Sequence, residues 1–151
     1  MRRVIDTLTA KAVLILGRFT DERKVVLDAI REELQKHDYV PLLFDFDKPE
    51  SRDLRETVST LARISRFVIA DITDAKSIPA ELELIVPFLP SVPIIPLVLR
   101  SDQGFALFGP LMRYPWVLEP YRYLDQAELI ASIRDRVIAP AEIKVKECRP
   151  P

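Results

Sequence analysis

The chain has 151 residues, which suits one domain with a sizeable core. Hydrophobic residues make up 48% and charged residues 30%, with a formal net charge of −1, so no overall basic field draws the protein to nucleic acid or to an anionic membrane. With one cysteine (Cys148) and one histidine (His37), an internal disulfide and a Cys/His zinc set are both excluded, and no apolar run reaches the roughly 18 residues of a membrane span.

In chain order, Met1 to Lys11 is an amphipathic lead-in. The apolar run after it reads as a core strand rather than the h-region of a signal peptide. Ala12 to Leu16 (AVLIL) is a continuous apolar run, the pattern of a strand buried on both faces of a parallel sheet. Gly17 to Thr20 turns the chain. Thr20 suits a helix N-cap, with Asp21 and Glu22 in the first turn and Val26, Ile30, Leu34 and His37 at helical spacing. Val40 to Phe44 (VPLLF) reads as a second strand, placed at an edge or near its start by Pro41, which lacks an N–H.

The acidic loop Asp45 to Glu50 follows, and Ser51 is positioned to cap a helix carrying Leu54, Val58, Leu61 and Ala62. Phe67 to Ala70 is a third strand. Pro79 suits a first helical turn, with Leu82, Ile85, Val86 and Leu89 as the apolar stripe. Ile94 to Leu99 (IIPLVL) is a fourth strand and Trp116 to Leu118 a short fifth. Ala127, Ile130, Ile133 and Val137 mark a last helix that Pro140 is expected to end.

Strands alternating with helices argue for an α/β, flavodoxin-like three-layer sandwich: a five-stranded parallel sheet of order 2-1-3-4-5. The expected organisation is a lead-in over 1–11, the α/β domain over 12–139 and a tail over 140–151. Strands one and three then form the topological switch, where ligands bind at the carboxyl ends of the strands.

That switch converges Gly17 to Thr20, Asp45, Asp47, Asp71 to Ser77, and Glu81. Carboxylates beside apolar walls can serve as nucleophile, general base or stabiliser of a developing cation, and cleavage of an N-glycosidic bond needs such a group. Each residue also has a structural explanation. Asp71 can be a turn former, Glu81 can serve the helix dipole, Asp45 and Asp47 can be a solvated loop, and Arg18 can be an exposed loop cation. With only three glycines, a Gly-rich phosphate loop is excluded. A phosphoacceptor receiver domain would need an acidic pair after strand one and a lysine after strand four or five. Strand one ends in Gly17-Arg18-Phe19-Thr20, and no lysine lies between Lys76 and Lys144.

FVIADITDAKSIPAELE, from Phe67 to Glu83, resembles the segment of nucleoside 2-deoxyribosyltransferase-like proteins that joins a strand, an acid, a polar loop and a glutamate-leucine pair opening a helix. LILGRFT, from Leu14 to Thr20, is similar to that family's first strand and pocket loop. The layout also resembles bacterial Toll/interleukin-1 receptor (TIR) domains. The chain departs from the transferase pattern at Ala80, where the family has an aromatic residue, and at Glu83, where it has a small one.

The resemblance implies a nucleotide-binding domain with Glu81 as the catalytic carboxylate. Gly17, Arg18, Phe19, Asp71 and Ser77 would be ligand-binding, with no metal and no cofactor, and NAD would be a candidate substrate. It further implies an N-glycosidase or hydrolase in bacterial signalling or defence, a cytoplasmic setting and a homo-oligomer. It also fits a domain excised from a larger protein. Two alternatives stand beside it. One is a non-catalytic module that self-associates through Asp45 to Ser51 and the apolar run Phe105 to Trp116. The other is a nucleoside 2-deoxyribosyltransferase.

Overall fold

The computed structural model describes residues 11–45, 52–73, 80–101 and 109–148. The strands are β1 (Ala12–Gly17), β2 (Val40–Asp45), β3 (Phe67–Asp71), β4 (Ile94–Leu99) and β5 (Tyr121–Tyr123). All pair in parallel in the order β2-β1-β3-β4-β5, as the sequence pattern predicts. The helices are α1 (Asp21–Lys36), α2 (Arg52–Ile64), α3 (Ala80–Ile85), α4 (Gln126–Ile133) and α5 (Ala139–Cys148), with a 3₁₀ turn at Gly109–Arg113.

Alternation along the strands sorts the core into two layers. Leu14, Leu16, Val68, Ala70 and Ile94 face Val58, Ala62, Leu82 and Ile85 of α2 and α3. Val13, Ile15, Phe67, Ile69, Ile95 and Leu97 face Leu27, Ile30 and Leu34 of α1, Leu129 and Ile133 of α4, and Ala141 and Val145 of α5. Every residue of β1 and β3 is buried, which is why they read as uninterrupted apolar runs.

Helix α1 starts as expected. Thr20 is its N-cap, with Oγ1 accepting from the Arg23 N–H at 3.3 Å. It ends in a Schellman turn at Asp38, whose φ of 67° is left-handed. The Asp38 and Tyr39 N–H groups there satisfy the Gln35 and Leu34 carbonyls at 3.1 and 3.0 Å.

The prolines explain where the expectations hold and where they fail. Pro41 lies in β2, an edge strand paired only to β1. The Ile94 N–H donates to the Trp116 carbonyl and the Ile94 carbonyl accepts from the Leu118 N–H, so Ile94 points its polar groups toward β5. Pro96, two residues on, points the same way and faces the unpaired stretch at Glu119 and Pro120, where no ladder bond is lost.

The expected fifth strand at Trp116 to Leu118 is corrected accordingly. Val117 makes only an isolated bridge to Ile94, and the strand proper is Tyr121–Tyr123, paired with Leu97–Leu99. Pro140 does not end the last helix either. A π-helical turn over Arg134–Ile138 widens the backbone before it, with the Ala139 N–H reaching back to the Arg134 carbonyl. That relieves the proline's clash with the preceding turn, and α5 continues to Cys148. The buried stripe runs through Leu129, Ile133, Val137, Ile138, Ala141 and Val145, and Ala127 is exposed.

Helix α5 is tied to the amino-terminal edge of the sheet. Arg66 Nε donates to Glu142, 2.8 Å to Oε2, and the Tyr39 phenol hydrogen-bonds the same carboxylate while stacking edge-on against Phe67, ring centroids 5.6 Å apart. Burial first, then the Glu142 charge and hydrogen bond, push the Tyr39 phenol up to about 12. A folded-state pKa above the unfolded value near 10 means that its stabilisation is intact below pH 10 and is lost as pH rises from about 10 to about 12. Thermal melts across that window should fall in Tm, and Tyr39→Phe should flatten the fall. An unchanged pH slope in the variant would exclude Tyr39 as its source.

Candidate functional site at the switch point

At the carboxyl edge of the sheet, β1 and β3 are neighbours whose following segments leave toward opposite faces, the topological switch point at which sheets of this kind bind ligands. Gly17 and Asp71 end these strands on the face covered by α1, each two residues beyond the paired Ile15 and Ile69. A Cβ on Gly17 would lie 2.9 Å from both Leu27 δ-carbons, so the glycine lets α1 settle close to β1. One helical turn before Leu27, that approach brings Arg23 over the end of β3.

Arg23 and Asp71 form a buried ion pair. Arg23 Nη2 and Nε donate to Asp71 Oδ2 at 2.7 and 3.0 Å, with the two side chains only 7% and 1% exposed. Arg23 Nη2 also meets the Tyr123 hydroxyl of β5. The Thr73 N–H donates to Asp71 Oδ1 at 3.2 Å, and Thr73 Oγ1 accepts from the Leu99 N–H of β4 at 3.0 Å. One network therefore links α1 to the ends of β3, β4 and β5. Burial pulls the Arg23 guanidinium down, but Asp71 and Tyr123 outweigh it and hold the pKa above its ordinary value. Burial pushes the Asp71 carboxyl and the Tyr123 phenol up, with Arg23 and Thr73 opposing in both cases.

The remaining expected residues lie around this network. Arg18 and Phe19 are half-buried in the loop after β1, and Phe19 packs on the α1-side core. The Phe19 N–H donates to Asp45 Oδ1 at the end of β2, at 3.1 Å, and Lys24 Nζ lies 5.6 Å from the Phe19 ring centre. Asp45 is thus bonded to the loop rather than merely solvated. Glu81 is in the first turn of α3, whose Leu82 and Ile85 are buried. Asp47, Ser51 and Ser77 lie outside the described residues, as do 46–50 and 74–79, which leave β2 and β3 at this edge.

Both Asp71 oxygens are engaged within the protein, so the acid that ends β3 has a structural task. Thr73 falls within the Asp71 to Ser77 segment that the sequence places at the switch, where it reads as a turn former, whereas Arg23 and Tyr123 are not singled out by the motif reading. Arg23 had a signal: it lies on the same stripe as Val26, Leu27, Ile30 and Leu34, three and four residues apart, and a cation on a buried stripe calls for a buried partner. Tyr123 had none, because β5 is three residues long.

The apolar run ending at Trp116 is part of the packing where it is described. Leu111 and Val117 are buried, and Trp116 Nε1 donates to the Val86 carbonyl at 2.6 Å. Phe105 to Phe108 lie outside the described residues. Two clefts along the described residues lie away from the switch. One, of about 540 Å³, lies between α1 and α4, and another, of about 510 Å³, lies beside Tyr121 and Pro140. Among the described residues there is no metal-ligating cluster, and no helix is long and apolar enough to cross a membrane.

No family model matches the chain, and no curated protein matches it, so neither resemblance drawn from the motifs gains support there. Solved structures do match in shape. A diflavin flavoprotein A3 from Nostoc sp. superposes with a TM-score of 0.63 at 11% identity, over 91% of this chain and 97% of that one. The sugar isomerase domain of an RpiR transcription factor from Sphaerobacter thermophilus gives 0.50 at 15% identity, over 97% and 83%. At such identities the likeness establishes the fold: this is a flavodoxin-like α/β domain.

Breaking a buried ion pair by removing one partner costs about 3–5 kcal/mol, because the other charge is stranded. Arg23→Met should lose that much in urea unfolding, and Arg23→Met with Asp71→Leu should recover a large part. A double variant no more stable than the single one contradicts this account. Gly17→Ala should cost about 1–3 kcal/mol through overpacking. The loss should shrink in a Leu27→Ala background; equal losses in both backgrounds would remove close helix packing as the reason for the glycine.

Proposed function

We propose that this domain binds a nucleoside-type ligand, NAD among the candidates, at the β1/β3 switch point and cleaves its N-glycosidic bond. Glu81 is the catalytic carboxylate, Arg18, Phe19 and Ser77 contact the ligand, and Gly17 and Asp71 shape the floor. The observation that supports the reading is topological. The connection leaving β3 ends at α3, whose first turn carries Glu81, at the edge where the Gly17 to Thr20 loop also arrives. With Asp71 committed to Arg23, Glu81 is the acid of the Phe67 to Glu83 motif that this reading assigns to chemistry.

In the proposed step, the bond between the anomeric carbon and the base nitrogen breaks, and its electron pair leaves with the base. The sugar carbon becomes oxocarbenium-like, and Glu81 either stabilises it or bonds to it. Water then adds to that carbon, breaking the bond to Glu81 where one has formed, and gives up a proton through the carboxylate. A cationic base such as nicotinamide departs neutral and needs no proton, whereas the base of an uncharged nucleoside departs as an anion and takes up the proton that the water releases.

A flavin, the ligand class named for one structural neighbour, fits poorly. Sheets of this order can hold flavin mononucleotide at the switch point, its phosphate on backbone N–H groups at a helix start. Here the Phe19 N–H is taken by Asp45, and the first turn of α1 carries Asp21 and Glu22. No flavin step enters the proposal.

Incubated with NAD and with nucleosides, the protein should release free base, and Glu81→Gln should be at least about 100-fold slower, the scale of a lost carboxylate. Equal turnover by the variant would remove Glu81 from the chemistry. No turnover by any assembly state would favour a non-catalytic binding or self-associating module, and exchange of base between nucleosides would indicate a transferase.

A further inference from the structure

The sheet loses its regular edge where two prolines meet. Pro96 of β4 faces the unpaired stretch at Glu119 and Pro120, and pairing with β5 resumes only at Tyr121. The cleft of about 510 Å³ lies beside that gap, bounded on its other side by the π turn over Arg134–Ile138 and by the start of α5.

One wall of the cleft is apolar. Ile95, Leu118 and Tyr121 line it and pack on the core that α1, α4 and α5 cover. The Tyr121 hydroxyl is bonded to Glu128 and lies 2.7 Å from Ser132 Oγ, so its polar end is already taken and the ring supplies the wall.

The other wall is polar, and its groups are not spent within the protein. Glu119, Asp135 and Arg136 line it, are exposed, and make no ion pair among the described residues. Lys144 also lines the cleft but is committed to Glu147 at 2.9 Å. The Leu118 carbonyl and the Glu119 N–H have no hydrogen-bond partner among the described residues. Leu118 is half-buried, and a backbone carbonyl partly withdrawn from water calls for a donor.

Charges of both signs are therefore free in one cleft of a size usual for small-molecule sites. A ligand bearing one sign alone would leave the opposite charge unmatched. A molecule with an ammonium and a carboxylate close together and an apolar group beyond them matches every surface. The ammonium offers three donors to carboxylates and a carbonyl, and the guanidinium fork suits the carboxylate.

We propose that this cleft is a binding site for a free α-amino acid with an apolar side chain. Arg136 and the Glu119 N–H hold its carboxylate. Glu119, Asp135 and the Leu118 carbonyl hold its ammonium, and the side chain lies on Ile95 and the Tyr121 ring. The site is separate from the switch point, does not depend on the glycosidic reading, and makes or breaks no bond.

The test is calorimetry on the full chain with L-phenylalanine and L-leucine, each against analogues that lack one feature. The methyl esters lose the carboxylate. The deaminated acids, 3-phenylpropionate and 4-methylpentanoate, lose the ammonium, glycine loses the apolar group, and glucose is the uncharged control. At least one of the two amino acids should bind at least about 10-fold more tightly than each of its analogues, the scale of one lost charge-assisted hydrogen bond.

Arg136→Gln should weaken that amino acid at least about 10-fold and bring its preference over the ester to within about threefold of one. The double variant Glu119→Gln with Asp135→Asn should do the same to its preference over the deaminated acid. All three side chains are exposed, so these variants keep the fold. No binding of either amino acid overturns the inference. An ester or deaminated acid that binds as tightly as its parent, tighter binding of glucose, or preferences that survive in both variants also overturn it. Glycosidic turnover is read separately and decides only the proposed function.

Discussion

The buried ion pair between Arg23 and Asp71 is the interaction on which the carboxyl edge of this sheet depends. Both partners are buried, so each has lost most of its hydration and is held by the other, by Thr73 and by Tyr123. Such a pair gives little net stability compared with apolar residues, but it punishes misplacement heavily. Here it couples the start of α1 to the ends of β3, β4 and β5, so these elements share one geometry. Gly17 allows the arrangement by letting α1 approach β1 closely enough for Arg23 to reach across.

That commitment decides how the acids at the crevice divide their work. An acid at the end of a switch-point strand invites a reading as a ligand contact, but Asp71 is consumed in holding the framework. Asp45 is bonded to the loop after β1, and Glu81 opens α3. The switch-point edge thus carries a buried charged pair, an acid bonded to the loop after β1 and a further acid in the first turn of α3. In the proposed chemistry, the buried pair keeps the Gly17 to Thr20 loop in place while the bond breaks above it.

Much of this fold was legible in the sequence because its strands are buried on both faces. AVLIL, FVIAD and IIPLVL are short apolar runs of strand length that fit a covered sheet, and helical stripes such as Val26, Ile30 and Leu34 lie between them. The ends of the fold were harder to read. Strand β5 has three residues with half-polar neighbours and carries no periodic signal. Pro140 reads as a helix stop unless the backbone widens to a π turn before it, as it does over Arg134–Ile138, and nothing in the local pattern announces that widening. The switch point was legible from the predicted strand order alone. The pairing of Asp71 with Arg23 spans 48 residues and depends on how closely α1 packs, which Gly17 hints at but does not spell out.

The account is tested most directly by an experimentally determined structure of the protein with a nucleoside bound. It predicts the ligand in the crevice between the Gly17 to Thr20 loop and the start of α3, within reach of Glu81. Asp71 should still be paired with Arg23 and lie beyond hydrogen-bond distance of the ligand, more than about 3.5 Å. A ligand bonded to Asp71 with Arg23 displaced, or one bound at the cleft between α1 and α4 instead, would contradict it.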